Sequence, residues 1–300
     1  MVDIPDLADH GIGGLIARWR RGEPSALLDV MPAIRRRTGR GTAPRRVERH
    51  VDGLVTVASY NVHKCVGVDK RFDPSRVADV IAELNADILA LQEVDRRFGR
   101  RLGLLDMVDI ERRTGLRLVP LSTTPGGQGW HGNALLVRIG TVTSARRLNL
   151  PGGEPRGAVM AELELPAGRL RLIGAHLGLL KRHREGQAAA ILDALADGTD
   201  APAMVLGDLN EWRPRRRSSL SALERSFGLT EQAPPTFPSR LPVLALDRIL
   251  SSRHGLIRAL EVHDTPLARI ASDHLPLKAR IDPALLDARR SVTDGIAEAA

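Results

Sequence analysis

Cysteine is nearly absent: Cys65 stands alone in 300 residues, so no internal disulfide can form and a cysteine-rich zinc cage is excluded. Any metal held by this chain must take its ligands from oxygen and imidazole. Aromatic side chains are scarce as well, at 3%, and Trp130, Trp212, Tyr60 and a few scattered others are too few for an extended base-stacking surface. Lysine appears only at Lys64, Lys70, Lys181 and Lys278. No apolar run approaches the roughly 18 residues of a membrane-spanning helix. The opening MVDIPDLADHG has neither the basic start nor the apolar stretch of a secretory leader. A cytoplasmic enzyme is the resulting expectation, with peripheral membrane association left open by the arginine-rich region described next.

What is present is a globular balance, 43% hydrophobic and 27% charged, which rules out a disordered or fibrous chain. Forty-four basic against thirty-six acidic residues leave +8, nearly all of the positive charge being arginine. Such charge suits a polyanion or an anionic surface but does not choose between them. Between Leu15 and His50 ten arginines face Glu23, Asp29 and Glu48 alone, and Pro24 and Pro32 divide the stretch into short amphipathic pieces. Residues 1–50 are accordingly expected to be a basic amphipathic arm and linker, 51–282 the main domain, and 283–300 a C-terminal helix and tail.

Within the main domain, LVTVASYNVH from Leu54 reads as a strand, Ser75 to Leu84 as a helix, and ADILALQEV from Ala86 as a buried strand. A second helix is expected over Leu102 to Thr114. Strands follow at Gly132 to Val137, Val142 to Leu148, Ala158 to Leu165 and Arg169 to His176. After arginine-rich polar text beyond Leu180, GQAAAILDALADG has helical spacing. The strand in APAMVLGDLNEW comes next, then Leu246 to Leu250, Leu256 to His263 and His274 to Ile281, with a short helix after Pro283. Strands and helices mix without strict alternation, which favours two packed sheets flanked by helices over a barrel or a doubly wound nucleotide fold.

Six of the strand patterns end in residues able to bind a hard cation or a phosphate. They are Asn61 with His63, Gln92 with Glu93, His176, Asp208 with Asn210, Asp247, and Asp273 with His274. Each set alone would serve to cap a turn. Six together at element ends make a convergent site.

These sets lie in SYNVH, LQEVD, HL at His176 and Leu177, GDLNE, LDRIL and SDHLP; together with HGNALL at His131 to Leu136, and in chain order from Leu54 to Ile281, they make the chain resemble the endonuclease/exonuclease/phosphatase superfamily, of the deoxyribonuclease I type. The resemblance implies an α/β fold, a four-layer α/β/β/α sandwich with two central mixed β-sheets, and a metal-dependent phosphoesterase site at one sheet edge. Residues 1–50 lie outside it. Magnesium prefers oxygen ligands, so Glu93 and the amide oxygen of Asn61 suit its inner shell, with Mn²⁺ as an alternative. By resemblance, Asp208 and Asn210 position the attacking water and contact phosphate or a second metal, and Asp273 is a further ligand or supporting carboxylate. The metal set is therefore Asn61, Glu93, Asp208, Asn210, Asp273 and His274, enough for one ion or two.

His274 is expected to contact phosphate, with Asp247 orienting its ring. His176 matches a second histidine of the nuclease and sphingomyelinase branches, where it could stabilise the transition state or protonate the leaving oxygen. The catalytic set is His176, Asp208, Asn210, Asp247 and His274. Asp208 and the His274–Asp247 pair both qualify to take the proton of the attacking water. Substrate contacts are assigned to His63, Asn133, Arg156, Asn210 and His274, Arg156 because its guanidinium fork matches two phosphate oxygens. His131 reads equally as a turn cap, and Cys65 as packing beside the first strand.

The implied activity is a Mg²⁺-dependent phosphoric diester hydrolase, with DNA or RNA as partner and no strong sequence specificity, since no recognition-helix pattern is present. The run Arg213 to Ser218, directly after Asn210, could set guanidinium groups beside a polyanion. The alternative is a phospholipid phosphodiesterase of sphingomyelinase-like or cardiolipin-processing type, for which the basic arm would meet an anionic phospholipid surface. A non-catalytic interaction protein on the same scaffold is a third reading, opposed by the complete set of chemical residues. No obligate protein partner is expected.

Overall fold

The computed structural model describes residues 53–287 except 98, 197–198, 214–217 and 228–232. The arm expected at 1–50, the tail beyond 287 and most of the Arg213–Ser218 run lie outside the described residues. Eleven strands appear among them, in chain order β1 Val55–Asn61, β2 Ile88–Gln92, β3 Arg117–Leu118, β4 Ala134–Val137, β5 Thr141–Asn149, β6 Gly157–Leu165, β7 Gly168–His176, β8 Ala203–Asp208, β9 Asp247–Ser251, β10 Ile257–Val262 and β11 Leu277–Ile281. Helices are α1 Pro74–Leu84, α2 Met107–Thr114, α3 Lys181–Leu195, α4 Ser221–Ser226 and α5 Ala268–Ala271, with 3-10 turns at His63–Cys65 and Pro283–Leu286.

Two mixed sheets form, one ordered β10-β11-β1-β2-β4-β3 and the other β5-β6-β7-β8-β9. Alternation along the strands explains how they stack, because successive side chains leave a strand on opposite faces. In the first sheet Val57, Ile88, Ala90, Leu135 and Ala279 enter one core, which they share with Val159, Leu170, Leu172, Met204 and Leu206 of the second sheet. Their neighbours Ala58, Tyr60, Leu89, Leu91 and Leu136 turn the other way, onto Val77, Val80 and Ile81 of α1 and Ile110 of α2. On the far face of the second sheet Ile173, Ala175, Ala203 and Val205 pack on Ala188 and Ile191 of α3 and Leu223 of α4. The result is the expected order of helix, sheet, sheet, helix, with both sheets covered on both faces.

The helices begin where local chemistry allows. Asp73 caps α1 by accepting from Arg76 N at 3.0 Å, and Pro74 fits the first turn, whose amide has no partner within the helix. The expected helix over Leu102 to Thr114 is corrected to Met107–Thr114. Leu104 and Leu105 give their amides to the buried Gln128 Oε1 at 3.1 and 3.2 Å, so that stretch is held open and the helix starts only where Asp106 caps Asp109 N at 3.0 Å. Conversely, the polar text after Leu180 is the first turn of α3. The short strand β3 and the helices α4 and α5 carried no expectation; the other strands fall where expected, except that the strand in APAMVLGDLNEW ends at Asp208 and the segment from His274 becomes strand only at Leu277. Among the described residues no helix is long and apolar enough to cross a membrane.

Candidate active site

Strand register assembles the site. β1 and β2 run parallel with Asn61 opposite Gln92, so Asn61 and Glu93 leave the first sheet at one edge. β11 runs antiparallel to β1 with Ser59 opposite Leu277, which brings Asp273 and His274, just before β11, to the same edge. In the second sheet His176 stands opposite Asp208 across the parallel pair β7 and β8, and Asp208 opposite Asp247 across β8 and β9. Six separate stretches of sequence thus converge because parallel strands finish where antiparallel ones begin.

Gly207 makes the approach in GDLN feasible. Its φ is +150°, and a Cβ there would stand 1.8 Å from the Ala175 carbonyl oxygen on β7, so only glycine fits beside the histidine strand. Beyond the strand ends, His63, Lys64, Glu93 and Asn210 all have positive φ, between 45° and 60°. Non-glycine residues seldom adopt this conformation, and where they cluster the surrounding packing must hold the strain.

One atom lies at the centre. Asp208 Oδ2 accepts from Asn61 Nδ2 at 3.0 Å, a hydrogen bond joining the two sheets. The same oxygen lies 3.3 Å from His176 Nε2 and 3.7 Å from His274 Nε2. Asp208 Oδ1 accepts from Asn210 N at 3.1 Å, while Asn210 Nδ2 donates to Leu177 O at 2.9 Å. His274 Nδ1 faces Asp247 Oδ2 at 2.8 Å, and Asp247 Oδ2 also accepts from Thr236 Oγ1 at 2.5 Å. Ser272 Oγ donates to Asn61 O at 2.6 Å, tying the segment of Asp273 and His274 to the end of β1. Asp208, Asp247 and His274 are fully buried.

The two histidines differ electrically. Burial disfavours the charged ring of His274, but Asp247, then Asp208 and Asp273, outweigh it and raise the pKa to about 9; a cation taken at Nε2 would displace that proton. For His176, burial and the adjacent Arg156 guanidinium prevail over Asp208 and hold the pKa below the usual histidine value. Arg156 Nη1 lies 3.0 Å from His176 Nδ1 and 2.8 Å from Nε2, and Nη2 lies 3.0 Å from Glu154 Oε2. The arginine expected to grip phosphate is thus itself buried against the second histidine.

The remaining expected residues sit around this centre. Glu93 Oε2 meets Lys64 Nζ at 2.5 Å. His63 N donates to Asn61 Oδ1 at 3.0 Å, and His63 Nδ1 is 3.7 Å from Asp273 Oδ1. Asn133 Nδ2 donates to Gly157 O at 2.8 Å, fastening the HGN turn to the start of β6. Cys65 is a buried thiol, as the packing reading expected.

Several partners escaped the sequence reading. Thr236 is eleven residues from Asp247 in a stretch without a motif. The buried pair Arg184 and Glu211, 3.3 Å apart, supports the chain on either side of the site, and the only signal for it was the glutamate closing GDLNE.

The donor set fits a divalent cation. Asp208, Asp247 and His274 offer ligand atoms that lie within 4.8 Å of one another. Asp247 Oδ1, Asn210 Oδ1 and His274 Nε2 are buried without a hydrogen-bond partner among the described residues. Hard oxygen donors with one imidazole suit Mg²⁺ or Mn²⁺. Asp247, expected only to orient His274, belongs to this group.

Comparison with known proteins agrees with the geometry. The model of the Endonuclease/Exonuclease/phosphatase family matches residues 58–274. The protein YbhP of Escherichia coli (strain K12), itself uncharacterized, is 30% identical over 243 residues, covering 75% of this chain and 95% of YbhP. The human nocturnin catalytic domain with bound sulfate anion is 22% identical with a TM-score of 0.55, covering 76% of this chain and 94% of that one. D. rerio TDP2 complexed with single strand DNA product is 15% identical with a TM-score of 0.53, covering 76% of this chain and 99% of TDP2. At such identities the two structures show a common fold. Fold, converging residues and a family match spanning the site lead to one assignment: the chain belongs to the endonuclease/exonuclease/phosphatase family of phosphoester hydrolases.

Proposed function

We propose that the protein is a divalent-metal-dependent phosphodiesterase acting on nucleic acid with relaxed sequence preference. The observation that carries this reading is the convergence of Asn61, His176 and His274 on the single oxygen Asp208 Oδ2. A buried carboxylate held from both sheets and flanked by two histidines is a preorganised place for in-line attack of water on a phosphorus centre.

The ion would be held by Asp208, Asp247 and His274, with Asn61, Glu93, Asn210 and Asp273 around them. When bound, it neutralises charge developing on the phosphate oxygens. The chain's own residues do the positioning. Asp247 fixes the His274 ring through Nδ1, leaving Nε2 toward Asp208. Arg156 holds the His176 ring, and Glu154 holds Arg156. Asn210, anchored to Leu177 O, keeps its amide oxygen at the centre. Asp208 is placed to receive the proton of the attacking water.

The single strand DNA product in D. rerio TDP2 supports nucleic acid as substrate class. The phospholipid reading rests on the basic residues between Leu15 and His50. The deciding experiment offers 5′-labelled single-stranded DNA, RNA and anionic phospholipid vesicles to the full-length protein with Mg²⁺ or Mn²⁺. Shortened oligonucleotides with intact lipid support the proposal. Lipid turnover without oligonucleotide cleavage overturns it.

A further inference from the structure

Beyond Glu93 the chain folds back on itself between Asp95 and Gly103, and the described residues of this turn include Arg96, Arg97, Arg100 and Arg101. Its base is firm. Asp95 bridges to Gly103, Arg96 N donates to Leu102 O at 3.0 Å and Leu104 N to Val94 O at 3.0 Å. Gly103 lies so close to Gln128 that a Cβ would stand 2.2 Å from its side chain, and Gln128 also holds Leu104 and Leu105. The arginines are therefore carried on a braced arm.

Arg101 connects this arm to the site. Its Nε donates to Asp95 Oδ2 at 3.0 Å and its Nη1 lies 2.8 Å from His131 Nδ1. His131 precedes Gly132, whose Cα hydrogens face the Glu93 backbone closely enough that a Cβ would be 3.4 Å from Glu93 Cα. His131 also stands edge-on to Trp130, with ring centroids 4.5 Å apart, and Arg147 lies over the Trp130 ring at 5.4 Å. Arg101 and His131 both have positive φ, 48° and 49°. Meanwhile Arg96 and Arg100 are exposed and have no acidic partner among the described residues. Asp95 is the only acidic residue from Val94 to Leu105, and Arg101 already engages it.

We propose that this arginine-bearing turn is a phosphate-binding arm that takes the nucleic-acid strand flanking the scissile phosphate, with Arg101 and His131 as the step between arm and site. This inference rests on the nuclease reading and deepens it. A guanidinium meets phosphate oxygens with a fork of donors, and a line of them beside a reacting centre is useful only to a substrate that repeats its charge. A strand with one phosphate at Asp208 carries further phosphates to the arm on the same covalent chain. A phospholipid carries one or two phosphates in its headgroup and has no strand of evenly spaced phosphates on one covalent chain to lay along the arm.

The test uses anisotropy of a labelled 20-nucleotide single strand in Ca²⁺ buffer, titrated with the full-length protein from 50 to 200 mM KCl, alongside cleavage of the same strand in Mg²⁺. Two double variants are compared with wild type. One is Arg96→Ala with Arg100→Ala. The other, Arg117→Ala with Arg169→Ala, removes the same charge from exposed residues at the opposite sheet edge. Each single-strand phosphate contact contributes about 0.7 to the slope of log affinity against log salt. Losing two lowers the slope by about 1.4, so across that fourfold salt range the arm variant loses about sevenfold less affinity than wild type, while the opposite-edge variant follows wild type. Equal slopes in all three proteins, or an equal change in both variants, would overturn the arm while strand cleavage leaves the nuclease reading standing. Absence of both binding and cleavage by wild type would overturn the two together.

Discussion

Glu211→Ala is the substitution whose cost the structure specifies best. Glu211 is fully buried, and its Oε2 accepts from Ser219 N at 2.7 Å, Ser219 Oγ at 2.5 Å and Arg184 Nη2 at 3.3 Å. Its Oε1 accepts from Arg213 N at 2.9 Å. Removing the carboxylate strands two buried backbone or hydroxyl donors on Ser219 and leaves Arg184 charged, with no exposure and no countercharge in contact among the described residues. Arg184 keeps its bonds to Ser219 Oγ, Gly178 O and Leu179 O, so it stays in place and bears the penalty. Breaking a buried pair from one side costs about 3–5 kcal/mol, which for a domain of this size lowers Tm by on the order of 10 °C. Urea unfolding and a thermal melt measure the two quantities. Because Arg184 and Glu211 touch, Arg184→Met combined with Glu211→Ala should cost less than the sum of the singles by about 1–3 kcal/mol. A Glu211→Ala loss under about 1 kcal/mol, or strict additivity, would refute the claim that this pair braces the chain beside Asn210.

Two further predictions follow from charge and burial. Cys65 is fully buried, and burial, aided by Asp73, pushes its thiol up to about 12. The native protein should therefore resist Ellman's reagent and release one equivalent of thiol only on unfolding, whereas reaction of the native fold at a free-thiol rate contradicts the packing described. The Arg76 guanidinium fork, with the Arg71 amide, holds the Asp69 carboxyl at about 2. A depressed pKa stabilises the fold above the unfolded carboxylate value of about 3.9 and loses that contribution as pH falls toward the folded value. The stability gap between wild type and Asp69→Asn should be complete at neutral pH and close between about pH 4 and pH 2; a gap independent of pH across that window contradicts the assignment.

The two central sheets are legible in the sequence because their order of side chains is a local property. Val57, Ala58, Ile88, Leu89, Leu172 and Ile173 alternate between the shared core and the two helical faces, and period two survives even where both faces are buried. The site is legible for a related reason: its residues stand where an apolar run stops. What sequence hid is non-local. The Leu102–Asp106 stretch has helical composition, yet Gln128, more than twenty residues away, takes its amides. In α3 the buried stripe is Arg184, Gln187, Ala188 and Ile191, which has helical spacing but polar members, so hydrophobic pattern alone starts the helix too late. Thr236 behind Asp247 and His131 against Arg101 depend on loops meeting across space, and the role of Arg156 as the support of His176 shows only once β6 and β7 are paired.

On the proposed function, metal-assisted phosphodiester hydrolysis is organised around Asp208. Its most direct test is the initial rate of bis-p-nitrophenyl phosphate hydrolysis for wild type and Asp208→Asn, each with Mg²⁺, with Mn²⁺ and with EDTA. The side-chain volume is preserved in the variant and the fold is checked by its melt. Turnover is expected to require the divalent ion and to fall by at least about 100-fold in Asp208→Asn, the loss typical when a group moving a proton in the transition state is removed. Turnover that survives EDTA, or a folded Asp208→Asn protein that keeps the wild-type rate, would contradict it.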